Sequence, residues 1–173
     1  AWDDVETYMR ACVDVARFLP CCAKCPNYET KWSCPPYDFD VQALWRSYTR
    51  IHLIFQQIEM PDTLAGKTDA ASAAAAAQIR RTAKDALLER LYALERENPG
   101  SRALSAGSCS ICPLCARASG KPCRVPEKMR YSIESLGGDV SETARRYFNL
   151  SLLWSKNGEV PAYSVLATAL LMK

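Results

Sequence analysis

Ile51-His52-Leu53-Ile54-Phe55 alternates along an extended chain, with Ile51, Leu53 and Phe55 on one side, His52 and Ile54 on the other, and Ile58 following. Both sides are largely apolar, which predicts a strand in the interior of a sheet. Upstream, Asp40 starts a short helix through Trp45 and Tyr48. Downstream, residues 61–67 read as a loop, and a long helix runs from Thr68 to Asn98. Its Ala70–Ala77 stretch has high helix propensity, and Ile79, Leu87, Leu88, Leu91 and Leu94 mark its buried side. Pro99-Gly100 ends it, and Arg102–Ala106 is a short strand.

The ends of the chain extend this pattern. Asp3 or Asp4 caps a first helix to about Phe18, with Val5, Tyr8, Met9, Cys12, Val13 and Ala16 as its apolar face and Pro20 as its stop. Pro126 opens a helix through Leu136, with Gly137 just past its end. Asp139-Val140-Ser141-Glu142 starts another, through Phe148. Leu150–Trp154 reads as a strand, Asn157-Gly158 as a hairpin turn, and Tyr163–Leu171 as the last strand. The expected fold is α+β: one domain over 1–173, with a small mixed sheet of about four strands, helices packed on it and two cysteine-rich metal-binding loops.

Those loops hold seven of the nine cysteines: Cys22, Cys25 and Cys34, then Cys109, Cys112, Cys115 and Cys123. The second burst reads Cys-x2-Cys-x2-Cys-x7-Cys. Thiols at that pitch can converge from a tight turn on one inorganic centre. There is a single histidine, His52, so sulfur would dominate the ligand set. Soft thiolates select iron–sulfur clusters, zinc or Cu(I). A [4Fe–4S] cluster takes three close cysteines and a fourth from elsewhere; Cys109, Cys112 and Cys115 are the three, and Cys123 is the candidate fourth, with service to the other centre as the alternative. Arg117, Lys121, Arg124, Lys128 and Arg130 stand near and would offset thiolate charge.

Cys22-x2-Cys25-x8-Cys34-Pro35 supplies three further thiolates. Cys21 points away from Cys22 in most backbones. A thiol from the other burst, a non-cysteine ligand or an open position remains for the fourth place. An open position is where metals act on substrates. The competing reading is zinc, which also favours C-x2-C pairs and would staple the fold. One pair and one triple suit a cube better than a zinc ribbon. The expected cofactor is one or two [4Fe–4S] clusters, with zinc as the alternative.

Composition narrows the function. The chain has 173 residues, 49% apolar and 24% charged, with net charge +3, too mild to imply a nucleic-acid partner. No stretch approaches the roughly 18–20 apolar residues of a membrane span. The acidic start, Ala1-Trp2-Asp3-Asp4, lacks a targeting core, and an odd, clustered cysteine set favours metal chemistry over disulfides. A cytoplasmic location is expected. Among single residues, Tyr28 and Trp32 are read as shields of the first loop's metal, Cys12 as core packing, and Asp38 and Asp40 as turn former and cap. His52 is read as a hydrogen-bonded core residue, and Arg130–Glu134 as a surface brace, with a ligand-anchoring role for Arg130, Tyr131 and Glu134 as the alternative.

Cys22-Ala-Lys-Cys-Pro-Asn-Tyr-Glu-Thr-Lys-Trp-Ser-Cys-Pro-Pro-Tyr-Asp-Phe-Asp40 resembles the first motif of a family of cysteine-rich predicted metal-binding proteins, mainly of anaerobic bacteria and archaea. Ala106-Gly-Ser-Cys109 through Lys128-Met-Arg-Tyr-Ser-Ile-Glu-Ser-Leu-Gly137 resembles its second motif; Leu152-Leu153-Trp154 and Pro161-Ala162-Tyr163 are similar to its closing segments. The family pattern has glycine where this chain has Glu29. The resemblance implies metal binding at the seven clustered cysteines and leaves Cys12 and Cys21 outside. It implies no settled activity.

Two functions follow as expectations. The first is electron transfer to a redox partner protein. The second is an enzyme with an open cluster iron beside Tyr28 and Trp32. A zinc-stapled interaction module is the third possibility. Catalytic residues, substrate and oligomeric state are not specified by the sequence.

Overall fold

Arg50–Glu59 (β2) pairs on both sides in the computed structural model, which describes residues 1–173. Its neighbours are Trp2–Asp4 (β1) and Tyr163–Met172 (β4), and Arg102–Leu104 (β3) lies on the far side of β4, giving the order β1-β2-β4-β3. The α+β expectation with about four strands therefore holds. All three pairings are antiparallel, and the parallel component of a mixed sheet reduces to one isolated bridge, Ser105 with Ser132.

The helices are Val5–Cys12 (α1), Val15–Ala23 (α2), Val41–Arg46 (α3), Ala70–Glu97 (α4) and Val140–Phe148 (α5). Each begins at an aspartate. Asp4, Asp14, Asp40, Asp69 and Asp139 accept backbone N–H bonds from the first turn of the helix that follows. A cap of this kind is worth about 1 kcal/mol in a typical helix, and here it sets the start of every one.

The sheet is covered on both faces. Ile51, Leu53, Leu104, Ala167, Ala169 and Leu171 pack with Val5, Tyr8, Trp45 and Val140 from α1, α3 and α5. Ala103, Leu166 and Leu170 face Leu87 and Leu91 of α4. Trp45 is fully buried, and its indole N–H donates to the Leu136 carbonyl at 3.0 Å. That bond ties the first core to the segment entering α5.

Several expected elements differ. The first helix is two: the chain breaks at Val13, Asp14 caps the second, and Pro20 lies inside α2 instead of ending it. The segment Trp2–Asp4, read as helix entry, supplies the fourth strand because the edge of β2 is free to pair with it. Leu150–Trp154 is irregular, since both edges of β4 are already taken by β2 and β3. Asn157 and Gly158 do take positive φ, 52° and 79°, but no hairpin flanks them.

Residues 126–136 form turns and a 3-10 turn, Glu134–Leu136, in place of a helix. Here tertiary contacts outweigh local pattern. Arg130 is drawn to Glu95 on α4, and Ser105 N–H donates to the Tyr131 carbonyl at 2.8 Å. Gly137 takes φ +77° at the turn's end, as its place in the sequence predicts.

Candidate metal centre

β3 carries the chain into the second cysteine loop. Gly107 and Gly120 take left-handed φ of 59° and 65°, and a 3-10 turn at Ala116–Ser119 bends the loop back. Cys109, Cys112, Cys115 and Cys123, all partly buried, line one pocket. The remaining lining is mostly apolar: Trp32, Ile111, Ala116, Val125 and Met129. Burial pushes the Cys109 thiol above its ordinary value, partly offset by a backbone bond from Ile111 and by the charge of Lys84.

The first loop forms a second pocket. Cys22 lies near the C-terminal end of α2, and Cys25 and Cys34 follow in a series of turns. These three thiols line a cavity of about 230 Å³ together with Tyr28, Ser108, Glu134 and Ser135. Burial raises both Cys22 and Cys34, and the negative charge of neighbouring cysteines adds to it. Glu29 has φ +59°, the left-handed region that glycine tolerates best.

The two loops are interlocked. Ser33, fully buried, accepts the Cys109 N–H at 2.9 Å. Its hydroxyl also lies 3.8 Å from the Cys34 sulfur. Arg117, on the second loop, donates to the carbonyls of Lys31 at 3.0 Å, Cys34 at 2.5 Å and Pro36 at 2.6 Å. Its guanidinium also lies over the Trp32 ring, 5.1 Å from the centroid. The Trp32 indole donates to the Lys121 carbonyl at 3.0 Å. Lys31 returns a bond to the Cys109 carbonyl, also at 3.0 Å. Neither loop can move far without breaking bonds to the other.

A third element completes the first pocket. Asp14 N–H donates to the Gly137 carbonyl, Asp139 N–H to the Cys12 carbonyl, and Val13 bridges Gly138. A Cβ on Gly137 would stand 2.7 Å from the Val15 Cα, so only glycine lets the two segments approach. This contact seats α2, with Cys22, against the turn that carries Glu134. Oε2 of Glu134 is sealed from solvent and has no hydrogen-bond partner. Burial raises its carboxyl above the ordinary range.

The structure thus groups the seven predicted cysteines as three and four, and leaves the other two apart. Cys12 lies in the core and Cys21 is exposed on α2. Tyr28 lines the first pocket, whereas Trp32 closes the second. Asp40 caps α3, as expected. His52 is not a hydrogen-bonded core residue: it is partly exposed and stacks on Trp2, with centroids 4.0 Å apart. Arg130 does not brace Glu134. It pairs with Glu95, both side chains nearly buried, and packs over Tyr92.

Two cations near the loops were not singled out by the sequence reading. Lys31 had no distinguishing context. Lys84 did: it lies three and four residues before Leu87 and Leu88, on the apolar side of α4. Its ammonium donates to the Ser108 carbonyl, and burial lowers its pKa. Glu134 is read from the sequence first as the partner of Arg130, with anchoring of a ligand as the lesser alternative. An acid set among Ile133, Leu136, Gly137 and Gly138 was the available signal.

The donor chemistry fits a soft metal centre. Seven thiols stand in two pockets, and the only imidazole is engaged elsewhere. As the side chains stand, no group of three or more His, Cys, Asp or Glu is placed to hold a bare ion. No helix is long and apolar enough to cross a membrane. Searches of curated proteins and of solved structures returned no match. A protein-family profile, described as "Predicted metal-binding protein (DUF2284)", matches residues 11–171, nearly the whole sequence. The chain belongs to this family of predicted metal-binding proteins.

Proposed function

We propose that the protein carries iron–sulfur clusters, one or two of the [4Fe–4S] type, and passes electrons to a protein partner. The observation that carries this reading is that Cys109, Cys112, Cys115 and Cys123 line one mostly apolar pocket. Four thiolates are the ligand complement of a cube, and a low-polarity wall limits water at the cluster. When bound, such a cluster supplies reversible one-electron transfer. The chain's own groups then have defined tasks. Trp32 covers the pocket, Arg117 fixes the loop that holds Cys34, and Lys31 and Lys84 bring positive charge to the Ser108–Cys109 backbone.

Electron exchange also needs a route between centres and an approach for the partner. The Cys34–Ser33 step meets Cys109 through one hydrogen bond, so the two pockets are separated by little more than that seam. Leu114, between Cys112 and Cys115, is 79% exposed and offers an apolar contact at the pocket's edge.

A specific observation favours a second reading, catalysis at the first loop. A cavity of about 470 Å³, bounded by Phe18, Leu19, Tyr37 and Phe39, shares Cys22, Pro35, Glu134 and Ser135 with the three-thiol pocket. A small molecule there would lie beside the centre.

Anaerobic isolation followed by stepwise reduction, read by visible absorbance and paramagnetic resonance, tests the primary reading. A brown chromophore that bleaches reversibly, and that is diminished by Cys112→Ser, is expected. Colourless protein holding stoichiometric zinc would overturn it in favour of a structural staple.

A further inference from the structure

The first loop lacks a fourth thiol. Cys22, Cys25 and Cys34 share one cavity, while Cys21 is exposed and does not line it. The second loop already uses its four cysteines around its own pocket. What does line the three-thiol cavity is Glu134.

One oxygen of that carboxylate calls for a partner, although its own backbone N–H, the Ser132 hydroxyl and the more distant Lys84 charge offset part of the cost of burying the group. Its Oε2 is shut off from water and accepts no hydrogen bond. A buried acceptor left unpaired is costly, more so when it is charged, and native structures rarely keep one without a function or an ion. No protein cation fills the role. Arg130, four residues earlier in the chain, gives both Nε and Nη2 to Glu95. Lys84 is bonded to the Ser108 carbonyl, and Glu134 takes part in no ion pair.

The fold also holds Glu134 in place. The Ser132 and Ser135 hydroxyls each accept the other residue's backbone N–H, at 3.1 and 3.0 Å, closing the turn around it. Gly138 N–H returns to the Ile133 carbonyl at 2.8 Å. A Cβ at Gly138 would fall 2.4 Å from the Ile133 side chain, so this turn is packed without slack. An acid on a rigid turn, beside three thiols carried by a different part of the chain, is a pre-set ligand position.

We propose that Glu134 is the fourth protein ligand of the first-loop centre, a carboxylate completing a set of three thiolates. The inference rests on the reading that the first loop holds an iron–sulfur cluster. It assigns the two centres different ligand sets: four thiolates in the second loop, three thiolates and one carboxylate in the first. An iron held by oxygen is bound less tightly than one held by thiolate, because carboxylates suit harder metals.

The test uses the full chain, isolated without air, as wild type, Glu134→Ala, Glu134→Gln, Glu134→Cys and the triple Cys22/Cys25/Cys34→Ser. Iron and sulfide are assayed, and paramagnetic resonance is recorded before and after mild oxidation. The triple variant should lose about half of the iron, leaving the second-loop cluster. On mild oxidation, Glu134→Ala and Glu134→Gln should lose about one iron in four from the first centre and show a three-iron signal. Glu134→Cys should keep its iron, and wild type should lose less than Glu134→Ala or Glu134→Gln. Where the alanine chain fails to fold, the isosteric glutamine variant decides. Glu134→Gln indistinguishable from wild type, with the first cluster present in both, overturns the proposal and leaves the iron–sulfur reading intact. Equal iron in wild type and the triple variant means that the first loop holds no cluster, and the proposal falls together with the two-cluster form of that reading, while a single second-loop cluster stands.

Discussion

The hydroxyl of Ser33 accepts the backbone N–H of Cys109 at 2.9 Å, so one buried side chain joins two cysteine loops that are 76 residues apart in sequence. Ser33 precedes Cys34, and Cys109 opens the second burst. The bond therefore fixes the position of one thiol set relative to the other, whatever the metal.

Ser33→Ala should lower stability by about 1–3 kcal/mol, because the partly buried Cys109 N–H keeps no other acceptor. Denaturant titration of the metal-loaded chain measures this, and a chelator challenge should release metal faster from the variant. An unchanged midpoint and release rate would show that the seam is not a brace.

Gly138→Ala should be more damaging than its small size suggests. The added Cβ would meet Ile133 Cγ2 at 2.4 Å and its carbonyl oxygen at 2.9 Å, and the backbone atom cannot swing away. Overpacking of this sort costs about 1–3 kcal/mol. Thermal unfolding should register the loss, and the turn bearing Glu134 should show faster amide exchange than in wild type.

At Glu29 the expected direction is opposite. Its φ of +59° is strained for a residue with a Cβ. Glu29→Gly removes that strain but loosens the unfolded chain, for a net gain of up to about 1 kcal/mol. Glu29→Val, branched at Cβ, should lose more than glycine gains. Equilibrium unfolding of the two variants, compared with wild type, checks both signs.

Tyr8 gives a pH-dependent prediction. Thr143 Oγ1 donates to the Asp139 carbonyl at 2.7 Å, so the buried Tyr8 hydroxyl is the donor in its 3.0 Å contact with Thr143. Burial raises the phenol far above its ordinary value. The folded chain keeps this proton where the unfolded chain loses it, so the contribution is full below about pH 10 and falls as pH rises further. Tyr8→Phe should cost about 1 kcal/mol at pH 7. The gap between variant and wild type should shrink above pH 10, and a gap constant across that range would contradict the assignment.

Local pattern carried much of this fold. The alternation at Ile51–Phe55, the aspartates at Asp40 and Asp139 and the alanine-rich run are decisions made within a few residues, and those elements formed near their expected bounds, whereas the helix opened at Asp4 stops at Cys12. What the pattern could not carry depends on distant partners. Trp2–Asp4 is a strand only because β2 offers it an edge, and Leu150–Trp154 is none because β4 has no edge left. The stretch before Glu134 gives up its helix to the Arg130–Glu95 pair, which joins positions 35 apart.

The candidate site divides in the same way. Cysteine spacing alone grouped Cys109, Cys112, Cys115 and Cys123, because the spacing itself builds the loop. Glu134 approaches Cys22 only through the close packing of Gly137 on Val15, a contact written nowhere in the local sequence. Arg117 was expected near the second loop's thiols, and its three bonds instead hold the backbone of the first.

The central claim is that these loops hold iron with inorganic sulfide. Iron and acid-labile sulfide determined on freshly isolated chain kept free of oxygen test it most directly. The account predicts near-equal amounts of the two, about four or eight of each per chain, with a marked loss in the variant Cys109/Cys112/Cys115→Ser. Chain that is folded and contains neither iron nor sulfide contradicts it.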